Sequence, residues 1–359
     1  KILDALIDEP TVVKAAGAVG ITERNVYEQL RRMKNEAATK NITASSDTST
    51  LYGEDGEVRL QWVKTRKGQQ EKQEAMREFV DELCDTVKPR KRQKAPKHTE
   101  KDLMTGIPIG DHHWGLLCWA PEVGENYDLK EAERLLTNGI DYLVDASPPS
   151  ETALLANLGD FLHVNDRTNK TPGHGHLLDA DGRFSKIARA AARGLAHATE
   201  RLLSKHKTVR LINVPGNHDP DSTLWLALVM DAWFRNEPRV EVETSPAMFH
   251  FHQFGKNMIC VTHGHTVKLP EIPATMAALQ PEMWGQTKYR VAWTGHVHHS
   301  QQLAVKEHRG AVAESFGVLP PSDAYSASMG YVSQREMHSI TFKRSGGILC
   351  RNTFNAALQ

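Results

Sequence analysis

The chain has 359 residues, enough for two domains, and its 44 basic and 44 acidic residues leave no formal net charge. Zero net charge excludes a polycation that binds nucleic acid through bulk charge, so any such contact requires a local basic patch. Its 4 cysteines are widely scattered and form no CxxC pair, which argues against a disulfide framework. With no apolar run of membrane-spanning length and no signal-peptide pattern, we expect a cytoplasmic protein without membrane contact.

The first 40 residues have the pattern of a helix-turn-helix. Ala16 is small where two helices must touch, Gly20 falls in the turn, and Val26 falls where the second helix packs back. The second helix presents residue types that contact phosphates and base edges. These side chains are Arg24, Asn25, Arg31 and Arg32. We therefore predict a DNA-binding domain at 1–40, and a helical protein-binding or oligomerisation module is the alternative.

Residues 41–100 are predicted to be a linker segment. The stretch 41–56 is rich in Ser, Thr, Asp and Gly and indicates a flexible loop, whereas 57–67 alternates as a strand or a wing would. The stretch 69–87 has the pattern of a charged amphipathic helix, and 88–97 is strongly basic. The candidate phosphate contacts in this basic run are Arg90, Lys91 and Arg92. A solvated interdomain linker is the alternative interpretation.

From about residue 101 to residue 359, apolar strands alternate with helical patterns, which is typical of an α/β domain. The predicted strands are 103–109, 152–158, 209–214, 258–262 and 291–294, followed by 302–307, 310–315, 339–343 and 347–354. The predicted helices are 129–146, 183–205, 222–234 and 272–284. We therefore expect a single α/β domain over 101–359.

Five of these predicted strands end in clusters of polar residues, which is where open α/β sheets place their chemistry. The clusters contain Asp111 and His113, Asp160 and His163, Asn217 with His218 and Asp219, His263, and His296 with His298. Together they supply carboxylates, imidazoles and one amide, without thiolates. Such donors suit divalent ions such as Mn, Fe, Mg or Zn rather than a structural zinc site. The donors are numerous enough for two ions.

In this order, the five clusters resemble the motifs of the calcineurin-like metallophosphoesterase superfamily, and the likeness covers about 101–300. The resemblance implies an α/β fold with a two-sheet sandwich flanked by helices. It also implies a ligand set for two divalent ions, with Mn expected first and Mg, Fe, Zn or Ni as alternatives. By this likeness, Asp111, His113 and His298 bind the first ion, Asn217, His263 and His296 bind the second, and Asp160 bridges the two.

The same resemblance implies roles for three further residues. His218 would act on the substrate phosphate as electrophile or general acid, and Asp219 would orient His218. A metal-bridging hydroxide would be the nucleophile. The run Gly-Asp-Phe-Leu-His that ends at His163 is similar to the motif of the SbcD-type DNA repair nucleases, in which this histidine acts on the phosphodiester.

The resemblance favours hydrolysis of phosphodiesters in nucleic acid. We predict a DNA nuclease, either exonuclease or endonuclease, with DNA as partner and single-stranded DNA or RNA as alternatives. The combination of helix-turn-helix, basic linker and phosphoesterase half resembles proteins encoded by bacteriophages and prophages. A phosphomonoesterase, a cyclic-nucleotide phosphodiesterase and a DNA-binding adaptor with a minor catalytic role are the alternative functions. The sequence leaves a homo-oligomer open.

Overall fold

The computed structural model of this chain describes residues 91–298, 310–322 and 335–358, with the backbone of three further strands. The chain divides into two compact units, Lys1–Gln73 and Glu74–Gln359. The predicted helix-turn-helix at 1–40 and the predicted charged helix lie outside the described residues. No helix within the described ranges has the length and apolar character needed to cross a membrane.

In the first unit, strands β1 (Thr48–Tyr52) and β2 (Val58–Val63) pair antiparallel. Strand β2 lies within the predicted strand or wing at 57–67. The expectation of a flexible linker at 41–56 is wrong for β1. Its residues, Thr-Ser-Thr-Leu-Tyr, include types that favour strands, but the Ser- and Asp-rich composition of the surrounding segment concealed them.

Eleven strands lie in the described part of the second unit. They are β3 (Glu100–Ile109), β4 (Ser150–Asn157), β5 (Thr208–Asn213), β6 (Val240–Val242), β7 (His250–Phe254), β8 (Asn257–Val261), β9 (Tyr289–Thr294), β10 (Gln301–Ala304), β11 (Val312–Ser315), β12 (Glu336–Lys343) and β13 (Gly347–Asn355). The helices are α1 (Ala120–Val123), α2 (Leu129–Ala146), α3 (Phe184–Lys205), α4 (Ser222–Phe234), α5 (Ile272–Leu279) and α6 (Pro281–Gln286), with short 3-10 turns at Leu269–Glu271 and Ala356–Leu358.

These strands form two sheets. The first sheet has the order β13-β12-β3-β4-β5-β6, in which β3 to β6 run parallel and β12 pairs antiparallel with both β13 and β3. The second sheet has the order β10-β11-β9-β8-β7, with β8, β9 and β11 parallel and an antiparallel strand at each end. The parallel core of each sheet sends its carboxyl ends into the loops that carry the predicted ligands.

The two sheets pack face to face through a buried apolar layer. Met104 and Ile340 of the first sheet belong to the same core as Ile259 and Trp293 of the second. The sheets approach so closely at Gly106 that a Cβ there would overlap the ring of Trp293. On the opposite face of the first sheet, helices α2, α3 and α4 bury a larger apolar core. Helix α5 covers the outer face of the second sheet with Ile272 and Met276.

The architecture confirms the expected α/β fold of two sheets flanked by helices. The helices predicted at 129–146 and 222–234 have those bounds, and α3 begins one residue later than predicted. The single helix predicted at 272–284 is wrong, because the chain breaks between α5 and α6 at Gln280. A residue that precedes a proline, here Pro281, is disfavoured in the helical conformation.

Candidate metal centre

The loops at the carboxyl ends of the central strands bring all seven predicted ligands to one place between the sheets. Four of them follow first-sheet strands β3, β4 and β5, and these are Asp111, His113, Asp160 and Asn217. Three follow second-sheet strands β8 and β9, and these are His263, His296 and His298. The alignment of parallel strands therefore places side chains that are distant in sequence within reach of one another.

A first group of potential ligands contains Asp111, His113, Asp160 and His298, whose donor atoms lie within 4.8 Å of one another. Nε2 of His298 is 3.1 Å from Oδ2 of Asp111 and 3.3 Å from Nε2 of His113. Asp111, His113 and Asp160 are buried, whereas His298 is half-buried. This group therefore has one side open to solvent.

A second group contains Asp160, His263 and His296, again with donor atoms within 4.8 Å of one another. The predicted amide ligand joins it, because Oδ1 of Asn217 is 3.0 Å from Nε2 of His263. Oδ2 of Asp160 is 3.3 Å from the same nitrogen. Asp160 belongs to both groups, as expected for a carboxylate that bridges two metal ions.

The side chains present fit divalent cations. Oδ2 of Asp160 is buried, and its contact with Nε2 of His263 at 3.3 Å lacks the geometry of a hydrogen bond. A buried carboxylate oxygen is costly unless a cation or a well-placed donor meets it. His263 donates from Nδ1 to the carbonyl oxygen of Leu158 at 2.9 Å, which turns Nε2 toward the carboxylate. Carboxylate oxygens and imidazole nitrogens are donors that divalent ions of this class prefer. The cluster can therefore hold divalent metal.

The pKa values of two histidines in the centre, His263 and His113, are shifted in opposite directions by their surroundings. Burial lowers the pKa of His263, but the negative charges of Asp160 and Asp111 together outweigh burial and raise that pKa to about 10. Burial and the neighbouring imidazoles of His218 and His298 hold the pKa of His113 well below its usual range. The carboxylates therefore favour a positive charge beside them, which in the metal-free centre is the proton of His263 and which a cation would replace on binding. His113 is already neutral, as a metal ligand must be.

Two glycines of the motifs are required by the closeness of the carboxylates. A Cβ on Gly216 would overlap Oδ1 of Asp160, and a Cβ on Gly295 would overlap Oδ1 of Asp111. The backbone amide of His296 donates to both oxygens of Asp111, at 3.1 and 2.9 Å. The glycine before the histidine thus lets the loop wrap around a ligand carboxylate.

The backbone of the ligand loops is strained. Four ligands have positive φ, with His113 at 49°, Asp160 at 48°, His296 at 71° and His298 at 54°. Residues other than glycine rarely adopt this left-handed conformation, which costs of order 1–3 kcal/mol each. Such strain is concentrated at functional sites, and among the described residues the only other such position outside the glycines is Asn169.

The predicted orientation of His218 by Asp219 is wrong. Nδ1 of His218 donates instead to the carbonyl oxygen of His163 at 3.0 Å. Oδ1 of Asp219 accepts from the backbone amides of Asp160 and Gly216, at 3.0 and 3.1 Å, and its Oδ2 accepts from Leu162 N at 3.0 Å. Burial and the charge of Asp160 raise the pKa of Asp219 to about 6. Asp219 thus ties two ligand loops together through their main chains.

His163 lies beside two other histidines of the centre. Its ring stacks on that of His218 with centroids 5.4 Å apart, and its Nδ1 is 3.5 Å from Nδ1 of His113. These three imidazoles form a third group of potential ligands. His163 is only 2% exposed, whereas His218 is half-buried, so in this conformation His218 is the more accessible of the two. An action of His163 on substrate stays a prediction.

The predicted nucleic-acid contacts are only partly described. Lys91 and Arg92 are exposed, and Nε of Arg92 donates to the carbonyl oxygen of Asn236 at 2.9 Å. The remaining candidates lie outside the described residues, and these are Arg24, Asn25, Arg31, Arg32 and Arg90. Their contacts with DNA stay predictions.

The chain matches no protein-family model and no curated protein. Solved structures that it resembles include a conserved uncharacterized protein of Streptococcus pneumoniae named as a predicted phosphoesterase (11% identity, 71% of this chain and 99% of that chain, TM-score 0.30). A dimetal phosphatase from Danio rerio has 10% identity, coverage of 70% and 99%, and a TM-score of 0.36. A zinc complex of Vps29 from Entamoeba histolytica has 14% identity, coverage of 70% and 99%, and a TM-score of 0.26. Likenesses this distant carry no argument about the site, which stands on its own geometry.

Proposed function

We propose that this chain is a two-metal phosphoesterase that hydrolyses phosphodiesters in nucleic acid, as a DNA nuclease. One observation carries the proposal: the two ligand groups of the centre share a single buried carboxylate, Asp160. A shared carboxylate holds two cations side by side, which is the arrangement that clamps both the attacking and the leaving oxygen at phosphorus. The mixture of oxygen and imidazole donors suits Mn, with Mg, Fe, Zn or Ni as alternatives.

The proposed ligands divide between two ions. Asp111, His113 and His298 would hold the first, Asn217, His263 and His296 would hold the second, and Asp160 would contact both. Bound there, divalent ions supply Lewis acidity that activates water and neutralises phosphate charge. Asp111, His113, Asp160 and His263 are buried, whereas Asn217, His296 and His298 are more exposed. One side of the centre is therefore accessible to a substrate.

His218 is the proposed residue that acts on the substrate. Its Nδ1 donates to the carbonyl oxygen of His163, so Nε2 is the nitrogen left for a phosphate oxygen. When protonated, Nε2 can donate to the leaving oxygen as a general acid. The amide of His218 donates to Oδ1 of Asp160 at 2.7 Å, which fixes the imidazole next to the centre.

Preference for DNA is supported by weaker observations. His163 ends the run that resembles the repair nucleases, and it contacts His113 and His218. Exposed Lys91 and Arg92 supply positive charge in the segment before β3, where a phosphate backbone could bind. The predicted helix-turn-helix at 1–40 would add contacts with DNA.

A substrate panel tests the proposal. Purified protein with Mn should cut single- or double-stranded DNA, and Asp160→Asn should lower the rate by at least about a hundredfold because it weakens both sites. Asp231→Asn, the same change on the exposed face of α4, is the control and should cut normally. RNA, cyclic nucleotides and nitrophenyl phosphate esters complete the panel.

The outcomes separate the alternatives. Hydrolysis of monoesters or cyclic nucleotides without cleavage of DNA would disprove the nuclease and retain the phosphoesterase. DNA binding without hydrolysis of any ester would favour an adaptor. A wild-type protein that binds none of Mn, Mg, Fe, Zn and Ni by calorimetry would overturn the metal centre itself.

A further inference from the structure

Asn165 holds together the two loops that carry His163 and His218. It is 3% exposed and lies two residues after His163. Its amide makes four hydrogen bonds to Asp221 and Ser222, which are the residues where helix α4 begins. The two segments are 56 residues apart in the sequence. Neither periodicity nor a motif marks this residue.

The contacts of Asn165 satisfy the start of α4. The first amides of a helix lack partners within the helix, and a side chain at its N-terminal cap usually accepts from them. Asp221 occupies that cap but makes no such hydrogen bond. Oδ1 of Asn165 accepts instead from the amides of Asp221 and Ser222, each at 3.0 Å, and from Oγ of Ser222 at 3.2 Å. Its Nδ2 donates to Oδ2 of Asp221 at 2.8 Å.

These bonds complete a series of ties between the same two loops. Asp219 accepts from the amide of Leu162, and Nδ1 of His218 donates to the carbonyl oxygen of His163. Asn165 adds a further tie, at Asp221 and Ser222, after His218 in the chain. The segment that carries His218 is therefore held against the segment that carries His163 at several successive residues.

We propose that Asn165 is a positioning residue for His218. Asn165 holds the start of helix α4, which follows His218, against the loop that contains His163. The carbonyl oxygen of His163 in that loop accepts from the imidazole of His218. This inference rests on the proposed function for its catalytic consequence, although the positioning of the ring does not require bound metal. Without Asn165, the loop after His218 would lose its tie at the start of α4, whereas no hydrogen bond of Asn165 is to one of the seven proposed metal ligands.

The variant Asn165→Asp tests this with almost no change of shape. It keeps the acceptor for the helix amides but places a second carboxylate against that of Asp221. We expect kcat for the diester substrate to fall by at least about tenfold, because small displacements of a reacting group are costly, with KM and the Mn stoichiometry unchanged. The double variant N165D/D221N again pairs an amide with a carboxylate and should recover to within about threefold of wild type. Asn169→Asp, four residues along the same loop, is the matched control and should retain wild-type kcat.

A double-mutant cycle shows whether the effect runs through His218. In a His218→Ala background, Asn165→Asp should cause no further loss, because the residue that it positions is gone. A full additional loss in that background would overturn the proposal, as would a kcat for Asn165→Asp equal to that of wild type.

Nitrogen NMR of the imidazole in metal-free protein provides a readout that does not depend on activity. Wild type should show the His218 tautomer with its proton on Nδ1, and Asn165→Asp should shift the signal toward a mixture of tautomers. An unchanged His218 spectrum would overturn the positioning role. If wild type hydrolyses no phosphoester, the proposed function fails, but this measurement still decides the role of Asn165.

Discussion

At the scale of single residues, the ligand carboxylates of the candidate centre are held by backbone that lies in close contact with them. The carboxylates of Asp111 and Asp160 lie against the backbone of other loops, at Gly295 and Gly216, where no side chain fits. The amides of His296 and His218 then donate to those same carboxylates. Each of these two carboxylates is thus held by a loop other than its own before any ion binds.

Gly295→Ala should weaken metal binding. The added Cβ overlaps Oδ1 of Asp111 and must displace either the carboxylate or the loop that carries His296 and His298. We expect Mn affinity to fall by about 10–100-fold in calorimetry, the range seen when residues supporting metal ligands are lost. Gly285→Ala in α6 is the control, since a Cβ there meets no atom within 4 Å. Equal affinities for the two variants would contradict this account of Gly295.

The sequence predicts these ligands better than it predicts their supports. Asp111, His113 and His263 follow apolar strands directly, so their pattern and their place at a sheet edge can be read together. The hydrogen-bond partners of Asp219 and Asn165 belong to a neighbouring loop. Which loop is the neighbour is determined by packing between segments that are far apart in the sequence. Asp219 therefore has the expected location but another partner, and Asn165 carries no signal in the sequence.

At the scale of strands and helices, the docking of the two sheets positions the centre. Gly106 lies in the middle of β3 with the ring of Trp293 against it, and these strands lead to Asp111 and His296 respectively. Most strands and helices can be predicted from the sequence because each of them buries one continuous face. Strand β6 cannot, because it has only three residues and forms by pairing with β5. The break at Gln280 cannot either, because it depends on the single proline that follows it.

Gly106→Ala should destabilise the domain by separating the sheets. Overpacking a well-filled core typically costs about 1–3 kcal/mol, and here the cost falls on the ring of Trp293. Urea denaturation should show a lower midpoint with an unchanged slope. The control is Gly346→Ala in the turn between β12 and β13, where the nearest atom to a new Cβ is 3.5 Å away. A midpoint as high as that of the control would refute close sheet packing at Gly106.

The end of α3 should make stability sensitive to acid. Nδ1 of buried His206 accepts from the amide of Ser150 at 3.1 Å and lies 2.7 Å from the hydroxyl of the same residue. Burial, with a contribution from the charge of Lys205, lowers the pKa of His206 from 6.5 to about 4. Between these values the unfolded chain binds a proton that the folded chain does not. The stability from neutral His206 is therefore complete above pH 6.5 and is lost as pH falls toward 4.

Urea denaturation across this pH range tests the prediction. The free energy of unfolding of wild type should fall more steeply than that of His206→Asn, by up to about 1.4 kcal/mol per pH unit. The exposed His176→Asn, which removes a histidine from a surface loop, should keep the wild-type slope. Parallel slopes for His206→Asn and wild type would show that the group does not titrate on unfolding.

At the scale of the whole molecule, metal binding should add to the stability of the fold. A ligand that binds only the folded state stabilises it by about 2.7 kcal/mol at a hundred times its Kd. Mn should therefore raise the thermal midpoint of wild type by several degrees, and a chelator should reverse the shift. Asp160→Asn should reduce the shift because it changes the ligand that both sites share. An identical Mn-dependent shift in this variant would place the stabilising ions elsewhere.

The distribution of ligands between the sheets has a consequence for folding kinetics. In each proposed site, ligands that follow first-sheet strands meet ligands that follow second-sheet strands, as Asp111 and His298 do in the first group. A partly folded chain with only the first sheet formed has three of the four ligands of the first site and two of the four ligands of the second, so complete ion binding must follow sheet docking. The rate of Mn uptake during refolding would then report the rate at which the two sheets dock. Once bound, each ion would slow the separation of the two sheets and therefore slow global unfolding.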